Sequence, residues 1–277
     1  MSHPYHYTVG YWNTRAIGEP VRLMLELCVG GANWTDVRYQ VGPPPHYSKS
    51  EWYTVKEKST MMFPNLPWLK KETKTKTTPP TDTTSPTPPT TTTQPPFQLT
   101  QMHAIMRYLG KEFDMLGGTH EEQACVDMIV EAGRDWMNAF FDVTYCNAPW
   151  KTNEQPSVHV EGNSQCLKSS PVFEALRHEY VSVTLPMHLS RFEKLLKQSQ
   201  FNSLWIAQTS DPTIADLILF EYIDQHFIFD SSSLPTVLLE YRQRCLDLPF
   251  MIKYRSSSAY QAEPLHNRYS HFHRGWM

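Results

Sequence analysis

Phe63-Pro64-Asn65-Leu66-Pro67-Trp68-Leu69 decides how the first half of this chain is read. Two prolines bracket a short apolar run that otherwise looks like the start of a β-strand. Proline has no amide hydrogen to give to a strand ladder. Pro67 at a strand entry therefore calls for a special backbone, of which a cis peptide after Leu66 is one form. A cis turn there points the Leu66 amide and carbonyl outward, free to pair with an extended, peptide-like ligand. Taken alone, the motif also fits an ordinary edge or turn.

Working outward, Tyr7-Thr8-Val9-Gly10-Tyr11-Trp12 is β-branched and aromatic and predicts a strand. Residues 19–27 carry apolar side chains at helical spacing, with Pro20 acceptable in a first turn, and Gly30-Gly31 ends the run. Residues 34–39 predict a second strand, which completes a βαβ unit. A loop with Pro43-Pro44-Pro45 follows, then a segment centred on Trp52. The proline-bracketed strand, a strand at Phe97-Gln98-Leu99 and a helix through 104–109 make a ββα unit. These elements form a predicted α/β domain over residues 1–113.

Residues 71–96, between the last two strands, are overwhelmingly threonine and proline. Such a stretch has nothing to build a core from and reads as an extended, solvated insertion in a hairpin turn. Loop closure costs only about 0.6 kcal/mol per doubling of length, so a fold tolerates it. An inert tether is the default reading, with partner docking or mucin-like glycosylation as sharper ones. From Thr119-His120-Glu121-Glu122, a capping-box pattern, the chain turns helical. Helical spacing runs from Cys125 to Tyr145 and again over 172–198. Thr213 and Asp216 cap the apolar helix Leu217-Ile218-Leu219-Phe220-Glu221-Tyr222-Ile223, and a last helix covers about 235–245. Residues 119–277 are thus predicted to be an all-α domain.

With 40% apolar and 13% aromatic residues the chain has material for a real core. A formal net charge of -3 gives no reason to expect nucleic acid or an acidic membrane as partner. No apolar run reaches membrane-spanning length, and Met1-Ser2-His3-Pro4-Tyr5 does not open a signal peptide. Cys28, Cys125, Cys146, Cys166 and Cys245 fit neither a disulfide framework nor a zinc spacing. A reduced, cytoplasmic protein is the expectation, which makes the sequon at Asn33 a coincidence of composition.

A βαβ–ββα domain with a cis-proline, joined to an all-helical domain, resembles the cytosolic glutathione transferases. The specific similarity is to the mu class. It rests on Val9-Gly10-Tyr11-Trp12-Asn13-Thr14-Arg15, Arg38-Tyr39-Gln40-Val41-Gly42-Pro43, Lys49-Ser50-Glu51-Trp52, the proline-bracketed run and Leu99-Thr100-Gln101. The resemblance implies a thioredoxin-like first domain, a homodimer, glutathione as co-substrate, and no metal or other cofactor. It implies conjugation of the glutathione thiolate to small hydrophobic electrophiles, with Tyr11 as the catalytic hydroxyl. A free thiol of pKa about 8.5 is only a few per cent thiolate at neutral pH, so activation is the chemistry that matters.

Carried over by matched position, the Leu66 backbone would pair with the cysteinyl part of glutathione, with Asn65 nearby. Trp12, Lys49, Trp52 and Lys56 would serve its glycyl end. Ile17 would contribute to glutathione binding and also falls near the positions that line the electrophile pocket. Gln101 and Met102, at the start of a helix, would hold the γ-glutamyl end, joined by Asp135 from across a dimer interface. Met102 departs from the family's serine or threonine and loses one hydroxyl bond. Tyr145 or Cys146, with His266, would line the electrophile pocket. His266, His271 and His273 lack the carboxylate or cysteine company of a metal site, and a solvated tail is the simpler reading. The rival function is a catalytically weak binding or scaffold protein that uses the insertion for contacts.

Overall fold

The run Tyr5–Trp12 (β1) alternates in burial, with Tyr7 and Val9 fully enclosed, as a central strand with a helix layer against it should. In the computed structural model, which describes residues 3–44, 46–74, 95–146, 171–198, 204–257, 260 and 264–272, this strand organises the first half of the chain. Helix α1 (Glu19–Cys28) crosses over to β2 (Trp34–Tyr39), which lies parallel to β1 with Tyr11 opposite Arg38. A parallel pair needs such a crossover, and α1 supplies it. Helix α2 (Ser50–Glu57) precedes β3 (Trp68–Thr73) and β4 (Phe97–Thr100), and α3 (Met102–Glu112) follows. The sheet order is β2-β1-β3-β4, with β3 antiparallel to both β1 and β4. This is the thioredoxin-like arrangement.

The Leu66–Pro67 peptide is cis. The strand itself starts later than the sequence suggested, at Trp68, because neither Pro64 nor Pro67 can donate to a ladder. It also runs on through Lys71, Glu72 and Thr73, the first residues of the supposed insertion, which pair with Tyr7, His6 and Tyr5. The Lys71 ammonium is held by Glu112 and lies 4.0 Å from the centre of the Tyr5 ring, so a charged residue is at home there. Residues 75–94 of that insertion lie outside the described residues.

Helices α4 (His120–Thr144), α5 (Pro171–Glu179), α6 (Leu185–Lys197), α7 (Ile214–Asp230), α8 (Thr236–Leu246) and α9 (Pro249–Arg255) form the second half. The helix foreseen over 172–198 is continuous but contains a π turn at Tyr180–Thr184, and α9 was not foreseen. Both capping sites hold: Glu122 bonds the Thr119 amide at 3.1 Å, and buried Asp216 accepts the Thr213 amide at 2.7 Å. Helix α7 is enclosed on all sides over most of its length, which is why its sequence is apolar without periodicity. Trp136, Phe140 and Tyr180 from neighbouring elements share the core with its own Tyr222.

Residues 264–272 fold back over this bundle. The Arg15 and Ala16 amides donate to the carbonyls of Pro264 (2.9 Å) and Leu265 (3.1 Å), and the His271 amide donates to Thr144 (2.8 Å). Among the described residues no helix is long and apolar enough to cross a membrane, and no group of histidine, cysteine and carboxylate side chains is arranged to hold a metal.

Candidate active site

Tyr11 sits at the C-terminal end of β1, where the strand gives way to the loop that leads into α1. Its ring is 6% exposed and packs with Ala16, Tyr39, Trp52 and Leu66. Gly18 allows this seat, because a Cβ there would come within 2.2 Å of the Tyr11 ring. The loop behind it is fixed by two buried arginines. Arg22 donates to the carbonyls of Thr14 (2.7 Å) and Trp12 (3.2 Å) and to Asp36 (3.0 Å), and its guanidinium stands 5.8 Å from the Tyr11 ring centre.

Arg15 reaches into the helical half, where it binds Glu221 twice, at 3.1 and 2.5 Å, and Asp224 at 2.7 Å. Burial opposes the Arg15 charge, but Glu221, Tyr260 and Asp224 outweigh it and raise its pKa further. Asp224 is likewise held below the usual carboxylate range, because Arg15 and Arg242 overcome its burial. Glu221 goes the other way, since desolvation dominates and Glu19 adds repulsion. Removing either side of such a pair strands a buried charge, so this cluster locks the Tyr11 loop onto α7.

Tyr11 opens onto a cavity of about 640 Å³ between the sheet half and the helical half. Lys49, Trp52 and Lys56 from the α2 region line it, together with Asn65 and Leu66. Burial lowers the Lys49 pKa, and its ammonium lies 5.0 Å from the Tyr269 ring centre. Among the described residues none hydrogen-bonds the Leu66 amide or carbonyl. The helical half contributes Asn138, Phe141, Asp142 and the C-capping Tyr145 of α4, and Asn267 and Tyr269 of the returning segment. The Tyr145 hydroxyl accepts the Asn267 amide at 3.2 Å. Desolvation, then Tyr269 and Tyr11, push the Tyr145 phenol well up, and burial does the same to Tyr269. Both remain protonated donors near neutral pH.

Of the residues singled out from sequence, Tyr11, Trp12, Ile17, Lys49, Trp52, Lys56, Asn65, Leu66 and Tyr145 meet at this cavity. Gln101, Met102, Asp135, Cys146 and His266 are not on its wall. Gln101 occupies the exposed turn into α3 with φ 72°, and the Met102 side chain is 5% exposed and belongs to the main core. Asp135 is exposed on α4, one turn before Asn138.

Two expectations need correction. Cys146 packs against the main core rather than the cavity. His266 is not part of a solvated tail but fully buried, stacked on Tyr145 with ring centres 5.3 Å apart. Its Nε2 lies 2.9 Å from Gln225 Oε1 and its Nδ1 3.2 Å from Ser270 Oγ. Gln225 in turn donates to Glu221 (2.8 Å), so His266 supports the wall from behind as part of the Arg15 cluster. His271 stacks on Phe173 at 4.3 Å, and His273 lies outside the described residues.

Sequence reasoning missed Asn138, Phe141 and Asp142, whose i, i+3, i+4, i+7 spacing with Tyr145 was a usable signal. Asn267 and Tyr269 offered none, since only the return of the chain brings them here.

The arrangement, a thioredoxin-like half with a hydroxyl at the end of its first strand facing a helical half, is that of the two-domain glutathione transferases. A solved pi-class glutathione S-transferase of Onchocerca volvulus superposes with a TM-score of 0.64, at 22% identity, over 98% of this chain and 100% of that one. The structure titled NaGST-2 gives 0.62 at 22% identity over 92% and 97%, and at this identity the likeness speaks for the fold. The family model "Glutathione S-transferase, C-terminal domain" matches residues 163–258.

Glutathione S-transferase Mu 4 of Mus musculus is 26% identical over 263 residues, covering 94% of this chain and 95% of its own. Glutathione S-transferase Mu 1 of Oryctolagus cuniculus is 29% identical over 262 residues, covering 93% and 94%. The chain is thus similar to the glutathione transferases over nearly its whole length, with mu-class proteins among its curated relatives.

Proposed function

We propose that this chain conjugates the thiolate of glutathione to small hydrophobic electrophiles. The observation that carries the reading is Tyr11, whose ring is locked by close packing at the one place where the cavity meets the end of β1. Lowering a thiol pKa by about two units takes about 2.7 kcal/mol of preference for the anion. A single aimed hydroxyl in a pocket shielded from water can supply that amount. The thiolate sulfur then bonds to the electrophilic carbon, the leaving group departs with its electron pair, and the thiol proton goes to solvent.

In this reading residues 1–113 bind glutathione, and residues 119–277 contribute the electrophile wall. The Leu66 backbone pairs with the cysteinyl part, and Asn65 adds an amide. Lys49, Lys56 and the indoles of Trp12 and Trp52 hold the glycyl carboxylate. Gln101 and the α3 amides take the γ-glutamyl carboxylate, without the hydroxyl that Met102 replaces. Ile17 and Tyr145 flank the electrophile. Asp135 reaches the ligand amine only from a second copy, so the reading includes a homodimer. The exposed Met62 and Phe63, at 86% and 69%, and Met128 on α4, at 59%, are the apolar surface it would use. Glutathione is the only co-substrate required, and a reducing cytoplasm is the compartment that keeps it a thiol.

The test is conjugation of 1-chloro-2,4-dinitrobenzene by the wild type and by Tyr11→Phe. The reading expects clear turnover in the first and a loss of two or more powers of ten in the second. No turnover, or turnover indifferent to the substitution, would return the chain to the scaffold reading or to another activating group.

A further inference from the structure

Three charged side chains among the described residues line the cavity, and they bear on what enters beside glutathione. Two of them are Lys49 and Lys56, at the start and in the last turn of α2. The third is Asp142, the one carboxylate among the described residues that line the cavity. It lies in the last turn of α4, which contains no basic residue. An acid at that position opposes the helix dipole, whose C-terminal end is already negative, so folding gains nothing from it. Residues that break a local rule in this way are most often kept for a site. One turn earlier Asn138 adds an amide to the same wall, and Asn267 adds another from the returning segment. Phe141 and Tyr145 supply ring faces between them.

We propose that the electrophile pocket selects amphipathic electrophiles that carry a protonated amine, and that Asp142 is the residue that selects them. This rests on the transferase reading of the site. The aromatic body of the electrophile lies against Phe141 and Tyr145 with its reactive carbon toward the thiolate near Tyr11. Its ammonium pairs with Asp142, while the lysines hold the glycyl carboxylate. A carboxylate has about four lone-pair sites, so a bond to a protein neighbour still leaves Asp142 able to accept from a ligand. An anionic electrophile meets the same field as repulsion. Because Asp142 is exposed, the preference is moderate and is weakened by salt.

The experiment uses three amides of 4-chloro-3-nitrobenzoic acid, with N-methyl, N-(2-aminoethyl) and N-carboxymethyl groups. They share one reactive ring and differ in charge, and kcat/KM is measured for each at saturating glutathione. In the wild type the aminoethyl amide should lead the methyl amide by about fivefold, and the methyl amide should lead the carboxymethyl amide by a similar factor, as one exposed charge pair allows. Added salt should shrink both ratios. Asp142→Asn should bring both close to one, and Asp142→Lys should invert the order. A flat or inverted order in the wild type, or an unchanged order in Asp142→Asn, overturns the assignment while turnover of the neutral amide keeps the transferase reading standing. Failure of all three amides and of 1-chloro-2,4-dinitrobenzene overturns that reading, and this one with it.

Discussion

Gly18 allows the site to be perturbed without altering any group that meets a substrate. Its backbone is helical, φ -81°, so alanine suits the conformation itself. An added Cβ would stand 2.2 Å from Cδ1 and 2.6 Å from Cγ of Tyr11. Carbon atoms rest about 3.5 Å apart or more, so the phenol must retreat by roughly 1 Å. It has little space to do so among Ala16, Tyr39, Trp52 and Leu66. Overpacking of this kind costs about 1–3 kcal/mol of stability, whereas a 1 Å misplacement of a reacting group costs about 100-fold in rate. Gly18→Ala should therefore lower kcat/KM for glutathione conjugation by about two powers of ten while the protein still melts cooperatively. Gly31→Ala, whose Cβ would meet nothing nearer than Glu26 Oε2 at 3.4 Å, should leave both quantities unchanged. A folded Gly18→Ala protein with wild-type turnover would refute the idea that the seat of Tyr11 governs activity.

Met102→Thr returns a hydroxyl to the start of α3 and should tighten glutathione binding about tenfold in calorimetric titration, at some cost in stability because Met102 is buried. A wild type that already binds glutathione tightly would remove the basis for that expectation. Burial between Trp136 and Phe140 pushes His226 down to about 3. The unfolded chain, with histidine near about 6.5, then binds the extra proton, so stability is full above that pH and falls as pH drops toward 3. This histidine contributes up to about 1.4 kcal/mol per pH unit, and His226→Gln should flatten the dependence of melting temperature on pH. An unchanged slope would assign the acid lability elsewhere. Phe63→Ser should shift a dimer toward monomer in sedimentation velocity, and a monomeric wild type would contradict the second-copy reading.

Much of the fold was legible because its signals are local. The β-branched run before Tyr11, the helical spacing after Glu19, and the capping residues Thr119 and Thr213 each act within a few positions. Pro67 at a strand entry marked the cis peptide for the same reason. The cavity wall on the sheet side was legible for a second reason, since it is made of short matched motifs. The helical wall was harder. Asn138, Phe141 and Asp142 share a face with Tyr145, but the polarity of Asn138 and Asp142 hid that face from a search for apolar spacing. His266 was misread because its burial depends on a chain reversal that places it against Tyr145, Gln225 and Ser270, partners up to 121 positions away. The buried Arg15 cluster was invisible for the same reason, as Glu221 and Asp224 lie more than two hundred residues from it.

Catalysis as proposed depends on the Tyr11 hydroxyl stabilising a thiolate. Its most direct test is the pH titration of the thiolate absorbance of bound glutathione, in the wild type and in Tyr11→Phe. A midpoint about two units below that of a free thiol is expected in the wild type, and a return close to about 8.5 in the variant. Equal midpoints in the two proteins would contradict it.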